Sequence, residues 1–177
     1  MRLFVALPLP EAITAPLARL AASAPVGRAV AEENMHLTLA FLGEVARAEL
    51  PALDAALSEL RHAPFPVAFH ELTALGGRQA RLLVLTATGP EALHSRLTTA
   101  LRCAEFTLAR RRFRPHVTLL RLPRQMGAHR EQKLAQFLAG VGRVELAPCT
   151  ATGFGLYASH LHPGGAVYET LAEYPLG

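Results

Sequence analysis

The sequence predicts a fold of mixed helices and strands in which one unit is used twice. Two stretches begin alike, R-L-F-V-A-L-P-L-P-E at Arg2 and R-L-L-V-L-T-A-T-G-P-E at Arg81, and each predicts a strand running into a helix. The strings H-L-T-L and H-V-T-L follow at nearly equal offsets, 36 − 2 = 34 residues on to His36 and 116 − 81 = 35 residues on to His116. These matches indicate a duplicated unit of strand, helix, H-x-T strand and helix.

The first part of the chain predicts three strands and two helices. The strands are expected at 2–8, near 28–32 and at 36–42. A helix follows the first strand and ends at about residue 22. Pro16 within its pattern either kinks the helix or marks a start near Thr14. The second helix is predicted from an apolar face made of Leu50, Leu53, Leu57 and Leu60.

The rest of the chain repeats this alternation and ends in strands. A third helix is predicted from an apolar face made of Leu93, Leu97 and Leu101, and a short fourth helix at about 129–139. Gly76-Gly77 and the string H-L-H-P-G-G at 160–165 are typical of turns. Strands are predicted at 65–74, 81–87, 115–121, 143–147, 150–157 and 167–173.

The length and composition predict one ordinary globular domain, and we take residues 1–177 as a single unit. No apolar run approaches the ~18 residues that a membrane helix needs. Pro8 and Pro10 interrupt the N-terminal apolar run before the core of a signal peptide is complete, so we expect a cytoplasmic protein. Cys103 and Cys149 lie far apart in the sequence and indicate neither a disulfide framework nor a zinc site.

The basic charge of the chain is compatible with an anionic partner. The net charge is +4, and 18 − 1 = 17 of the basic residues are arginine, with Lys133 the one lysine. A GC-rich genome could produce this bias without selection for function. Planar guanidinium groups suit bidentate contacts with phosphate. Directly before the second H-x-T string lies the cluster R-R-R-F-R, which contains Arg110, Arg111, Arg112 and Arg114.

The two H-x-T strings combine groups suited to phosphodiester cleavage. Because side chains alternate along a strand, His36 and Thr38 share one face, as do His116 and Thr118. If the two units pack about a pseudo-two-fold axis, their polar faces meet across a groove. One imidazole can then deprotonate water and the other can protonate the leaving oxygen, while threonine hydroxyls donate to phosphate oxygens. The alternative is that each pair is only the polar side of a half-buried strand, which explains each residue singly but not the pairing.

The remaining histidines and the single lysine offer weaker sites. His160 and His162 form H-x-H but lack an obvious third ligand, so no metal site is predicted. Lys133 would have to carry any lysyl-nucleotide intermediate, and it lies in a polar helix stretch, which argues against an ATP-dependent ligase. Four further histidines are predicted to lie on the surface: His62, His70, His94 and His129.

With both H-x-T strings, the chain resembles the two-histidine (2H) phosphoesterases, and among them the bacterial RNA 2',3'-cyclic phosphodiesterases, also called 2'-5' RNA ligases. The likeness runs through R-L-F-V-A-L-P-L-P-E, E-N-M-H-L-T-L-A-F-L-G-E-V, F-R-P-H-V-T-L-L-R and L-Y-A-S-H-L-H-P-G-G-A-V-Y-E-T-L-A-E-Y-P-L. It implies a bilobal α+β fold with pseudo-two-fold duplication, antiparallel sheets lining a central cleft, and helices outside. It also implies hydrolysis of RNA 2',3'-cyclic phosphate ends to 2'-phosphates without a metal or other cofactor. Weak, reversible, ATP-independent 2'-5' joining of RNA ends is implied as well.

The resemblance assigns a role to each site residue. His36 acts as the general acid toward the 3' oxygen and His116 as the base for water, while Thr38 and Thr118 bind phosphate. The two lobes are expected to be interleaved in one domain. The expected partners are RNA ends that carry a 2',3'-cyclic phosphate or a 2'-phosphate, with no membrane, and the protein is expected to be a monomer.

Two further residues enter only through the resemblance, Phe41 as a platform for the terminal base and Arg121 as a phosphate contact. Each lies five residues after its motif histidine. Plain alternation therefore puts both on the face opposite the histidines. For these roles, each strand must end or twist before that position.

Two other functions remain open. A related fold could open cyclic phosphates on small nucleotides such as ADP-ribose derivatives. A non-catalytic module could instead bind RNA ends through the basic cluster, and its salt-sensitive binding would survive loss of both motif histidines.

Overall fold

The strands form one antiparallel sheet that is symmetric about its centre. The computed structural model describes residues 1–76, 79–109, 112–162 and 165–177. Within these residues the sheet has nine strands: β1 (Arg2–Pro8), β2 (Arg28–Ala29), β3 (His36–Glu44), β4 (Phe65–Gly76), β5 (Ala80–Thr88), β6 (His116–Arg121), β7 (Cys149–Ala151), β8 (Gly153–His162) and β9 (Gly165–Pro175). The α-helices are α1 (Glu11–Ala22), α2 (Leu50–Ser58), α3 (Glu91–Cys103) and α4 (Ala128–Val141).

The strand order places the two motif strands side by side. It runs β7-β4-β5-β6-β3-β1-β8-β9, with β2 beside β6. Each motif strand pairs on its outer side with the first strand of its own repeat, β3 with β1 and β6 with β5. Next to these lie β8 on one side and β4 on the other. The predicted α+β fold with pseudo-two-fold duplication is confirmed.

Leucine side chains from helices and strands fill one core under this sheet. The side chains that alternate with the motif histidines point into it, as predicted: Leu37, Leu39, Val117 and Leu119. The helices contribute the faces that were predicted from their spacing, including Leu53, Leu57, Leu93, Leu97 and Leu101. Burying each such side chain is worth about 1.5–3 kcal/mol relative to leaving it exposed, which fixes the motif strands firmly in place.

Helix α1 begins at Glu11, so the alternative start near Thr14 is wrong. The helix continues through Pro16, where the missing N–H leaves one backbone bond unmade. The apolar face of Ile13 and Leu17 is buried against the core and supports the helix despite that loss. No helix in the described parts of the chain is long and apolar enough to cross a bilayer.

Three sequence predictions about strands and turns are wrong. Among the described residues, none of 143–147 belongs to a strand, because Val144 and Leu146 pack against the core without a neighbouring strand. The strand expected at 28–32 is only Arg28–Ala29, since the 3-10 turn Glu32–Asn34 soon follows. His160 lies in β8, in register with β9, rather than in a turn. Outside the described residues lie Gly77, Arg78, Arg110, Arg111, the turn positions Pro163 and Gly164, and the side chain of His162.

Candidate active site

The two H-x-T strings meet at their middle residues. β3 and β6 pair antiparallel at Leu37 and Val117. This register places His36 beside Thr118, and Thr38 beside His116, on neighbouring strands. All four polar side chains alternate with the buried Leu37 and Val117, so they share the opposite face of the sheet. The fold therefore brings together the four residues that the sequence predicted as one site.

Both motif histidines are oriented by the same backbone contact. His36 Nδ1 lies 2.8 Å from the carbonyl oxygen of Asn34, and His116 Nδ1 lies 2.6 Å from that of Arg114. A carbonyl oxygen only accepts, so each Nδ1 must carry the proton that it donates. The acceptor is two residues before the histidine in both halves. Nε2 is therefore the atom that each ring presents for proton transfer.

The hydroxyl of Thr38 forms a hydrogen bond with Nε2 of His36. Thr38 Oγ1 is 3.0 Å from His36 Nε2. Since Nδ1 holds the proton in the neutral ring, the hydroxyl donates to Nε2. A phosphate oxygen can accept the same hydroxyl proton instead, which would leave Nε2 free to face the leaving oxygen. Thr38 is thus placed to exchange an imidazole contact for a phosphate contact.

The imidazole of His36 is neutral near neutral pH. Burial lowers the pKa of His36 from its ordinary 6.5 to about 4; the bond to the Asn34 carbonyl opposes this shift, and the charges of His116 and Arg121 add to it. The buried Phe4 ring packs against the His36 ring, with ring centroids 4.9 Å apart. A neutral imidazole can accept a proton at once, but it can donate one only after an anion such as phosphate raises its pKa.

A β-bulge in β3 brings Phe41 to the face of the histidines. Thr38 pairs with Ala6 and Ala40 with Val5, so Leu39 is an extra residue in the ladder. Leu39 and Ala40 are consequently both buried, and Phe41 is 64% exposed. Phe4 on β1 lies between Phe41 and His36, with its ring centroid 6.2 Å from that of Phe41. The strand thus stops alternating before position 41, as the resemblance required.

The same irregularity occurs in β6 and acts on Arg121. Thr118 pairs with Val84 and Leu120 with Leu83, which leaves Leu119 as the extra residue. Leu119 and Leu120 are both buried, and Arg121 is exposed. One Nη atom of Arg121 lies 3.5 Å from the hydroxyl of Tyr168, whose ring meets the His36 ring edge-on with centroids 5.2 Å apart. Arg121 is therefore near His36, on the same face of the sheet.

A cavity of about 550 Å³ opens beside His36. One wall is aromatic, where Tyr157 and Tyr168 each pack against Phe4. Another wall includes the acidic residues Glu11, Glu32 and Glu33. Negative charge on that wall disfavours a phosphate inside the cavity. Of the four motif residues, His36 alone lines this cavity.

Sequence reasoning missed several residues that shape this site. Tyr157 and Tyr168 come from the C-terminal hairpin, and no spacing rule connects them to an H-x-T string. Asn34 and Arg114 act through backbone carbonyls, for which side-chain patterns give no signal. His94 was predicted to lie on the surface, but it is half-buried against the first motif strand.

The weaker candidate features of the sequence, the H-x-H string and the basic cluster, form no second site in the described parts of the chain. His160 Nε2 lies 2.9 Å from a carboxylate oxygen of Glu169, so this histidine pairs with an acid. In the described parts of the chain, no three His, Cys, Asp or Glu side chains lie close enough together to hold a metal ion. Arg112 and Arg114 of the basic cluster are exposed next to His116 in sequence.

A duplicated antiparallel sheet, with one H-x-T strand from each half at its centre, is the architecture of a two-histidine phosphoesterase. Residues 7–85 and 88–168 match the family model described as LigT like Phosphoesterase. The chain belongs to the LigT-like phosphoesterase family.

Named relatives and solved structures agree with this assignment. The chain is 28% identical over 180 residues to the RNA 2',3'-cyclic phosphodiesterase of Archaeoglobus fulgidus. The aligned region covers 98% of this chain and 99% of that protein. It is 33% identical over 130 residues to the protein of the same name from Escherichia coli, over 68% of this chain and 71% of that one. The crystal structure of TT0787 of Thermus thermophilus matches with a TM-score of 0.80 at 27% identity, over 99% of this chain and 98% of that one. Apo E. coli LigT matches with a TM-score of 0.76 at 28% identity, over 99% and 96%.

Proposed function

We propose that this protein hydrolyses RNA 2',3'-cyclic phosphate ends to 2'-phosphates, with two histidines as acid and base and no metal ion. The observation that carries the proposal is the matched presentation of Nε2 by His36 and His116, each ring held through Nδ1 by a carbonyl. The relatives named RNA 2',3'-cyclic phosphodiesterase support the choice of substrate. The exposed arginines Arg112, Arg114 and Arg121 would attract the RNA backbone.

In the proposed reaction, water attacks phosphorus on the side opposite the 3' oxygen. His116 Nε2 takes a proton from that water as the new phosphorus–oxygen bond forms. The bond from phosphorus to the 3' oxygen breaks, and His36 Nε2 gives that oxygen its proton. Thr38 and Thr118 donate to the non-bridging oxygens, and Arg121 neutralises their charge. The products are a 3'-hydroxyl and a 2'-phosphate.

The low pKa of His36 bears directly on which histidine is the acid. In the unliganded protein His36 is neutral, and this favours the reverse assignment, with His36 as base, as a second candidate. For His36 to act as the acid, the bound phosphodiester anion must raise its pKa and supply a protonated ring. The two assignments make opposite predictions for substrates whose leaving group needs no proton.

A 3'-deoxynucleoside 2'-(p-nitrophenyl phosphate) separates the assignments, because its phosphorus stays on the 2' oxygen while p-nitrophenolate takes the place of the 3' oxygen and leaves without a proton. We expect His36→Ala to lose much more activity on a cyclic phosphate than on this substrate. His116→Ala should lose activity on both, since water still needs a base. Rescue of His116→Ala instead of His36→Ala would reverse the roles, and rescue of neither variant would refute this acid–base scheme.

The direct test is turnover of an oligoribonucleotide with a 2',3'-cyclic phosphate end, in the presence of EDTA. Wild-type protein and the control His129→Ala, an exposed histidine on α4, should produce a 2'-phosphate. His36→Ala and His116→Ala should each lose activity by about 100-fold or more. Absence of product with the wild type, or full activity in both variants, would contradict the proposal.

A small nucleotide is the second candidate substrate. It is favoured by a solved structure of E. coli LigT complexed with 3'-AMP, which matches this chain with a TM-score of 0.74 at 29% identity. Competition between a short RNA and a mononucleotide cyclic phosphate measures the preference, and RNA should win by a margin that shrinks with salt. Equal competition at all salt concentrations would favour the small nucleotide.

The same site would also support weak joining of RNA ends. If a 5'-hydroxyl replaces water as the nucleophile, the product is a 2'-5' phosphodiester and no ATP is consumed. Incubating a cyclic phosphate end with a 5'-hydroxyl RNA and then digesting with a 3'-5'-specific nuclease would reveal the resistant linkage. A non-catalytic RNA-binding role predicts neither product, with binding that survives loss of both histidines.

A further inference from the structure

We propose that His94 is a positioning residue that holds the bulge of β3 and thereby keeps Phe41 aimed at the active site. His94 lies on α3, outside both H-x-T strings, and its Nδ1 is 2.9 Å from the carbonyl oxygen of Leu39. Because that oxygen only accepts, Nδ1–H is the donor. Leu39 is the extra residue of the bulge, so His94 bonds to the very residue that changes the facing of the strand.

In both halves the bulge carbonyl accepts a hydrogen bond from outside the strand pair that contains the bulge, and in the second half the donor directly follows β2. Leu119 occupies in β6 the place of Leu39 in β3, three residues after the motif histidine. Its carbonyl accepts from the backbone N–H of Val30 at 2.8 Å. The first repeat uses the His94 side chain for the same task. A side-chain donor can be removed without touching the backbone, whereas removal of the Val30 N–H would need proline, which also restricts the chain there, so the first repeat is the one to test.

The His94 ring also contacts the segment before the second motif histidine. It stacks on Phe113 with ring centroids 3.7 Å apart and planes 6° from parallel. Phe113 is followed by Arg114, whose carbonyl orients His116. One imidazole therefore connects the bulge of the first motif strand with the approach to the second. Its two functions are separable, because donation uses Nδ1 and stacking uses the ring face.

Two substitutions separate donation from stacking. His94→Phe keeps an aromatic ring for Phe113 but cannot donate to Leu39. His94→Asn places a side-chain N–H close to the position of Nδ1 but loses the ring. If donation holds the bulge, His94→Phe should disturb Phe41, and His94→Asn should largely restore it. A residue that serves only the core would give the opposite order, because the larger apolar ring buries more surface.

The first measurement is steady-state kinetics on a nucleoside 2',3'-cyclic phosphate. This measurement rests on the proposed function. We expect His94→Phe to raise KM about fivefold with little change in kcat, as fits the loss of one partly buried hydrogen bond. The effect should be absent in a Phe41→Ala background, because the base platform is already gone. Unchanged KM in His94→Phe, or additive effects in the double variant, would overturn the assignment.

The second measurement needs no activity, so it separates failure of this inference from failure of the proposed function. Amide hydrogen exchange of residues 39–43 should be about fivefold faster in His94→Phe than in wild type, and close to wild type in His94→Asn. Helix α4 serves as the reference segment and should not change. Equal exchange in all three proteins, or faster exchange throughout the chain in His94→Phe, would overturn the role of His94. If the wild type turned over no cyclic phosphate, only the proposed function would fall.

Discussion

Leu39 and Leu119 are the extra residues of two β-bulges at the same place in a repeated unit, each three residues after a motif histidine. Each bulge buries two consecutive residues and returns the next side chain to the face of the histidines. The first half thereby presents Phe41 and the second half presents Arg121. One backbone irregularity, used twice, gives the site an aromatic surface on one side and a cation on the other.

Removing the aromatic surface should weaken substrate binding. Phe41→Ala should raise KM for an RNA cyclic phosphate about tenfold and leave kcat nearly unchanged, because base stacking is worth ~1–3 kcal/mol per base. The matched control is Val167→Ala, since Val167 is also exposed but alternates with Tyr168 along β9 and points away from the site. Equal KM values for the two variants would show that Phe41 does not contact the base.

Replacing a threonine hydroxyl by a methyl group should slow the chemical step. Thr38→Val and Thr118→Val keep the shape of the side chain but remove a donor to the phosphate, and each should lower kcat by about 100-fold. Thr38→Ser and Thr118→Ser keep the hydroxyl and should stay within about tenfold of wild type. Single-turnover rates measured at saturating substrate make the comparison. Serine variants as slow as the valine variants would assign the loss to packing.

Stability should depend on pH through His36. Its pKa is about 4 in the folded protein and about 6.5 when unfolded, so the unfolded chain binds the extra proton first as pH falls. The contribution is present above 6.5 and is lost as pH falls toward 4. By linkage the loss reaches about 3 kcal/mol. His36→Asn cannot titrate at this position. In denaturant unfolding, wild type should therefore lose unfolding free energy relative to His36→Asn as pH falls across this window. A constant difference would contradict the shifted pKa.

Two glycines should respond in opposite ways to alanine. Gly89 has φ +118°, and a Cβ there would lie 2.2 Å from the carbonyl oxygen of Pro66, so Gly89→Ala should cost more than about 2 kcal/mol. Gly140 lies in helix α4 with nothing within 4 Å of a built Cβ. Gly140→Ala should therefore stabilise the protein by about 0.5–1 kcal/mol. Thermal unfolding of both variants tests the pair, and a stable Gly89→Ala would show that the turn can move.

Local pattern was enough for the repeat and for most elements, because each depends on residues close in sequence. Helix α3 follows from the spacing of Leu93, Leu97 and Leu101, and all three are buried. The strand predicted at 143–147 failed for a different reason. Val144 and Leu146 alternate as in a strand, but a strand forms only where a neighbour supplies hydrogen bonds, and sequence spacing does not say whether one is there.

The sequence by itself determined that His36 and Thr38 share a face, that His116 and Thr118 do so too, and that the two pairs belong to equivalent strands. Side-chain alternation and repetition are properties of the local chain. Only the tertiary structure decided that the strands meet at Leu37 and Val117, and that Phe41 and Arg121 turn back toward the histidines. Register and bulges are set by which strands pair, and pairing depends on contacts between residues far apart in the sequence. The buried environment that lowers the pKa of His36 likewise comes from β1 and the C-terminal hairpin, which no local pattern connects to it.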